Sequence, residues 1–264
     1  MGTSTPWEGP RGTTGVKAKW SRLGERFDPS DPAADAEAFA ATCVDALHET
    51  CRLDPSAFRL QEVTQAAGER LADAMEMLAV HGPSGLELRD RNGEDADAVE
   101  TFLEGLVRQL AGDGCSVADA AVRRAAVTAG RRLLREHPDL HEAIGSGGGD
   151  GRGLASDIVC SLYQWFFADV IGEFLKTALA ENIKLAVPVL ALQSPGDGIA
   201  DHIADRIVKL VPNPCERVAD ATDLIETATD GDTLTVPVAR VAKGLLSGTV
   251  RTVLGLASGE EATS

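Results

Sequence analysis

The chain has 264 residues, a formal net charge of −16 and 44% hydrophobic side chains, enough to build a sizeable core. So acidic a body repels phosphate backbones, which argues against general nucleic-acid binding. Aromatics reach only 4% and Ala dominates the apolar set, a composition that suits closely packed helices better than a β-sandwich.

The N-terminus carries the most distinctive chemistry. Residues 1–10 read MGTSTPWEGP, and Gly2 follows the initiator Met, a context in which the Met is normally trimmed. Gly, Pro, Ser and Thr dominate Gly2 to Pro10, with little apolar surface to offset ordering entropy, so a mobile segment is expected. A freed α-amine titrates near ~8, against ~10.4 for a Lys ammonium, and is the better nucleophile at neutral pH. Residues 1–27 also hold five basic and two acidic side chains, a net of +3 in a strongly acidic chain. These residues contain no apolar core segment, so a secretory signal is not expected. The myristoylation pattern fails because Pro6 stands where Ser or Thr is required.

Helix punctuation then runs along the chain. Asp31-Pro32, Asp54-Pro55, Ser194-Pro195 and Asn213-Pro214 each pair a capping side chain with Pro at the first helical position. Ser116 with Asp119 has capping-box spacing, as does Asn213 with Glu216. Apolar stripes such as Leu60, Val63, Ala67, Leu71, Ala74 and Leu78 predict helices over 32–52, 55–80, 94–111 and 117–136. Residues 145–153, GSGGGDGRG, lack the Lys-Ser/Thr of a Walker loop and a preceding strand, and read as a flexible connection.

The strongest core element follows, from Leu154 to Ile183. Ile158, Leu162, Phe166, Val170 and Phe174 form one row, and Val159, Tyr163, Phe167, Ile171 and Leu175 the next. Asp157, Ser161, Gln164 and Lys176 mark a narrower polar face, and Pro188 is expected to end or kink the helix. Thr233 to Val238 is the best strand candidate. The last helix, 236–256, has Val238, Val241, Leu245 and Val253 on one side and Arg240, Lys243, Ser247 and Arg251 on another. Packing or partner docking explains it better than a membrane surface. No uncharged apolar run reaches ~18 residues, so no membrane span is expected.

The expected fold is all-α, a multi-helix bundle with a disordered N-terminal tail. Its organisation reads as a basic tail (1–30), a helical lobe (31–137), a Gly-rich linker (138–153), a second helical lobe (154–258) and a short tail (259–264).

No catalytic set stands out. His137 and His141 have i, i+4 spacing, but Pro138 places a helix end between them and no HExxH glutamate exists, so surface histidines in a turn are the better account. Asp197, Asp201 and Asp205, with His202, recur at helical spacing; they could suit a hard cation, and a solvated helix face explains them as well. Five scattered cysteines without a CxxC read as buried reduced thiols of a cytoplasmic protein. No catalytic residue, cofactor or metal is assigned.

MGTST, with Gly9-Pro10 and Gly12 shortly after, resembles the start of QatB-like proteins, the B component of Qat-type anti-phage defence systems. Those proteins open on Met-Gly-Thr-Ser and a Gly-Pro-rich tail and continue into an Ala-rich helical region; the tail here departs from theirs at Lys17-Ala-Lys-Trp20. The resemblance implies an operon with an ATPase, a QueC-like enzyme and a TatD-like nuclease as partners. QueC-like enzymes activate a 7-deazaguanine carboxylate with ATP and pass it to a nitrogen nucleophile. By that analogy Gly2 is the acceptor of an amide conjugate, and Thr3, Ser4, Thr5, Pro6, Gly9 and Pro10 form the docking tail. The alternative is an acidic helical scaffold whose tail stays unmodified.

Overall fold

A computed structural model describes residues 20, 36–86, 97–145, 154–186, 196–222 and 235–257. Among these the chain is all-α, with no strand: α1 (Ala36–Leu53), α2 (Leu60–His81), α3 (Ala98–Leu110), α4 (Val117–Glu136), α5 (Pro138–Gly145), α6 (Ser156–Ala186), α7 (Gly196–Val208), α8 (Pro214–Thr222) and α9 (Thr235–Val253).

Helix α6 is the axis of the bundle. It packs along α4 on one side and α7 on another, and touches α2, α8 and α9. Every residue from Phe166 to Leu175 is buried, so the polar side expected from Asp157, Ser161, Gln164 and Lys176 is confined to the two ends. An element apolar on all sides is stable only when it is enclosed on all sides. Ser156–Leu179 is apolar enough by mean hydropathy to span a bilayer, a property that individual uncharged runs do not reveal, but 78% of that stretch is buried within the bundle. Phe166, Phe167 and Tyr163 stack edge to face within it, with centroids 4.9 and 5.7 Å apart.

The other helices close around this axis. α2 lies against α9, α1 against α7, α3 against α4, and α5 against α3 and α4. Helices from before and after the Gly-rich segment thus contribute to one continuous core. Gly68 on α2 makes the close approach possible: a Cβ there would stand 2.8 Å from both Phe167 Cζ and Leu246 Cδ2. The basic side of α9 is met by α2, where Lys243 Nζ lies 3.0 Å from Asp73 Oδ1.

Local capping chemistry sets several helix ends. Ser116 and Asp119 form the expected capping box: Ser116 Oγ accepts from Asp119 N at 3.1 Å, and Asp119 Oδ2 accepts from Ser116 N at 2.9 Å. Asn213 Oδ1 accepts from Cys215 N at 3.0 Å and starts α8. The Asp54-Pro55 start differs from expectation. Asp54 caps only a short turn, and Phe58 and Arg59 then take left-handed conformations (φ 60° and 55°) before α2 begins at Leu60. The strain is about 1–2 kcal/mol per residue, and in this conformation Phe58 packs against Phe174, centroids 5.1 Å apart.

Three further expectations are corrected. Thr235 to Val238, within the strand candidate, form the first turn of α9. Residues 138–145, assigned to the linker, form α5, because Pro138 ends α4 and also opens the next helix. Trp20, assigned to the tail, is 2% exposed, and its Nε1 donates to Thr50 Oγ1 of α1 at 3.0 Å. Asp31-Pro32, Pro188, Ser194-Pro195 and the residues of the Gly-rich run from 146 to 153 lie outside the described residues.

Candidate functional site

Two places in the bundle hold chemistry that packing alone does not require. The first is a polar centre midway along α6. Asp169 is 5% exposed, and its Oδ2 has no hydrogen-bond partner among the described residues. Burial pushes its carboxyl up to about 7. The Arg132 guanidinium of α4 pulls the other way, while Glu173 on the same helix and Asp201 and Asp205 on α7 add to the upward push. Arg132 itself is stacked 4.7 Å over the Trp165 ring, one turn before Asp169. Glu173 is tied down: Arg124 Nε donates to its Oε2 at 2.8 Å, and Lys176 Nζ lies 3.8 Å from its Oε1. The centre therefore contains one acid held by two cations and one buried acid whose carboxyl is pushed up towards neutrality.

The acids noted at Asp201 and Asp205 are exposed and bear on this centre through their charge. Among the described residues no group of three or more His, Cys, Asp or Glu side chains is placed to hold a metal ion. His137 ends α4 and stands beside Trp165, centroids 6.4 Å apart, whereas His141 is exposed on α5, so the helix boundary separates them.

The second place is a cleft of about 740 Å³ bounded by α6, the end of α7, the start of α8, and α9. Three cross-links fix its walls. Gln164 Nε2 donates to Val211 O at 3.3 Å, and Tyr163 and Thr249 share a buried hydroxyl hydrogen bond of 2.8 Å between α6 and α9. The third is a disulfide between Cys160 of α6 and Cys215 of α8, with Cα atoms 6.0 Å apart. This corrects the reading of five reduced thiols. The two residues are 55 positions apart, and only the folded path of the chain brings them together.

The remaining cysteines divide by environment. Burial pushes the Cys43 and Cys51 thiols up to about 12, and Cys115 is exposed. Iodoacetamide on the folded protein is expected to add one label, at Cys115, with Cys160 and Cys215 protected until a dithiol reductant is added. Peptide mapping that finds labels on Cys160 or Cys215 before reduction would remove the bond.

Gly2, Thr3, Ser4, Thr5, Pro6, Gly9 and Pro10 lie outside the described residues. Sequence reading did not single out Asp169, Glu173 or the cleft. The available signal was two acids four residues apart inside the most apolar helix.

Over its described residues the protein is an all-α bundle with a polar cleft and a buried carboxyl that burial pushes up to about 7. No protein-family model, curated protein or solved structure matches the chain.

Proposed function

We propose that the chain is a non-enzymatic anti-phage defence component whose N-terminal peptide is docked into, and modified by, a QueC-like partner. The observation that carries this reading is the opening sequence itself, MGTST followed by Gly9-Pro10 and Gly12, on a basic segment of an acidic chain. Trp20, buried against Thr50, gives that segment an anchor on the body. The residues from Gly2 to Trp20 can reach at most about 60 Å when fully extended, enough to enter a neighbouring active site while the bundle stays outside.

In the proposed step the partner first joins a 7-deazaguanine carboxylate to ATP, releasing pyrophosphate and leaving an acyl-adenylate. The Gly2 amine attacks the acyl carbon. AMP leaves with the bonding pair, and the amine loses a proton to the medium, so an amide replaces the mixed anhydride. Gly2 has no side chain to obstruct the approach, and Thr3, Ser4 and Thr5 supply hydroxyl and backbone hydrogen bonds in the channel. The ATPase and TatD-like nuclease of such an operon are the further proposed partners, in the cytoplasm, with no contact to nucleic acid or membrane by this chain.

Intact-protein mass after co-expression with the QueC-like enzyme tests the acceptor role. A mass above the Met-trimmed chain, lost in Gly2→Pro, is the expected result; the Met-trimmed mass alone, with substrate and ATP supplied, ends the proposal. A second reading, an acidic scaffold with an inert tail, is favoured by the charge of −16. Deleting residues 2–12 separates the two, because protection against phage survives that deletion only in the scaffold.

A further inference from the structure

The cleft beside the disulfide departs from the rest of the molecule in its charge. In a chain of net charge −16, its mouth presents two cations, Lys209 after the end of α7 and Arg217 on α8, against one carboxylate, Glu216. Both cations are exposed, and neither forms an ion pair with another described residue within 4.0 Å. Glu216 is partly engaged, its Oε1 accepting from Asn213 Nδ2 at 3.4 Å. The first turn of α8 belongs to the same wall and adds the positive end of its peptide dipoles.

The opposite wall is bare of side chain at one position. Gly248 sits in the interior of α9, where glycine costs about 1 kcal/mol relative to alanine. Among the described residues no contact requires it. Its φ is not left-handed, and a Cβ would meet no atom within 4 Å. Gly244, one turn earlier and outside the cleft, is equally unconstrained, so the glycine marks no site by itself; in the wall of the cleft Gly248 leaves helix backbone bare to whatever occupies the space. Leu245, one turn earlier, offers apolar surface beside it.

The volume, about 740 Å³, lies in the range of small-molecule sites, and the cross-linked walls hold the cleft in shape before anything binds. A Lys point charge and an Arg fork lining one cleft suit the several acceptor oxygens of a phosphate group. We propose that this cleft binds a phosphate-bearing small molecule of nucleotide size, with the phosphate between Lys209 and Arg217 and the remainder lying on Gly248 and Leu245. The site is independent of the N-terminal acceptor role.

Isothermal titration of the full chain with inorganic phosphate, pyrophosphate and AMP tests this, with adenosine as the uncharged control. AMP is expected to bind more tightly than phosphate and at least about tenfold more tightly than adenosine. Lys209→Ala and Arg217→Ala are each expected to weaken AMP by about tenfold, and added salt to weaken it further. Gly248→Trp, which fills the cleft from a position with open space, is expected to abolish binding. Far-UV circular dichroism checks that this variant is folded, and the double variant Lys209→Glu with Arg217→Glu, at exposed positions, gives the same reading if it is not. The proposal is overturned if none of the three anions saturates the protein. It is equally overturned if AMP binding survives in folded Gly248→Trp or in the double charge reversal.

Discussion

Asp169→Asn is expected to stabilise the protein at pH 8 by about 4 kcal/mol and to leave it nearly unchanged at pH 4. The carboxyl titrates near the usual ~3.9 in the unfolded chain and is pushed up to about 7 in the bundle. A raised acid pKa means that the folded state holds its proton over a window where the unfolded state has released it. Below the unfolded pKa both states are protonated, and the group has no effect on stability. As pH rises from about 4 to about 7 the unfolded chain gains relative stability, and above that window the loss is constant. Asparagine has nearly the same shape and never ionises, so it removes the penalty without removing volume. Urea unfolding of both proteins across this range, followed at 222 nm, measures the difference. A loss at pH 8 would mean that the Arg132 guanidinium outweighs burial, and a gain of equal size at pH 4 and pH 8 would mean that ionisation is not its source.

The same residue shows where sequence reading stops. The rows from Ile158 to Phe174 and Val159 to Leu175 identify α6 and its apolar character, because a helix repeats its faces within a few residues. The Ser116–Asp119 box is legible for the same reason, and α4 runs over the expected residues, 117 to 136. The environment of Asp169 is set by α4 and α7, which are distant in sequence, and no local pattern reports them. Phe58 and Arg59 leave helical geometry where Phe58 meets Phe174, more than a hundred residues away in sequence. Thr235, Val236 and Val238 are strand formers by type, but Pro237 between them suits the first turn of a helix, where its missing N–H costs nothing, and α9 as a whole packs on α2. The cleft is likewise assembled from four helices, and Lys209, Arg217 and Gly248 have no shared sequence signature. The opening residues present the reverse case, since their chemistry is written in the sequence and lies outside the described fold.

Gly255→Ala is expected to cost about 4 kcal/mol, and roughly half of that cost is expected to depend on His48. Gly255 closes α9 in a left-handed conformation, φ 67°, while Leu256 N reaches back to Arg251 O at 2.7 Å. Alanine in that conformation costs about 1–2 kcal/mol by itself. Its Cβ would also overlap His48 Cγ and stand 2.6 Å from His48 Cβ, so α1 must shift or the ring must turn. Either movement breaks the 3.0 Å bond between His48 Nε2 and Val253 O, which joins the first described helix to the last. Because a carbonyl only accepts, Nε2 carries the proton in that bond. Burial holds the ring below its ordinary pKa although the carbonyl favours the charged form, so the bond is made by the neutral imidazole. A partly buried carbonyl left without its donor adds about 1–3 kcal/mol. In a His48→Gly background the clash, which includes His48 Cβ, and the bond are both gone, and Gly255→Ala should then cost only its backbone share. Denaturant unfolding of the four proteins in this cycle gives the coupling directly. Equal costs in the two backgrounds would show that the α9 terminus is held by its own backbone turn and that α1 contributes nothing to it.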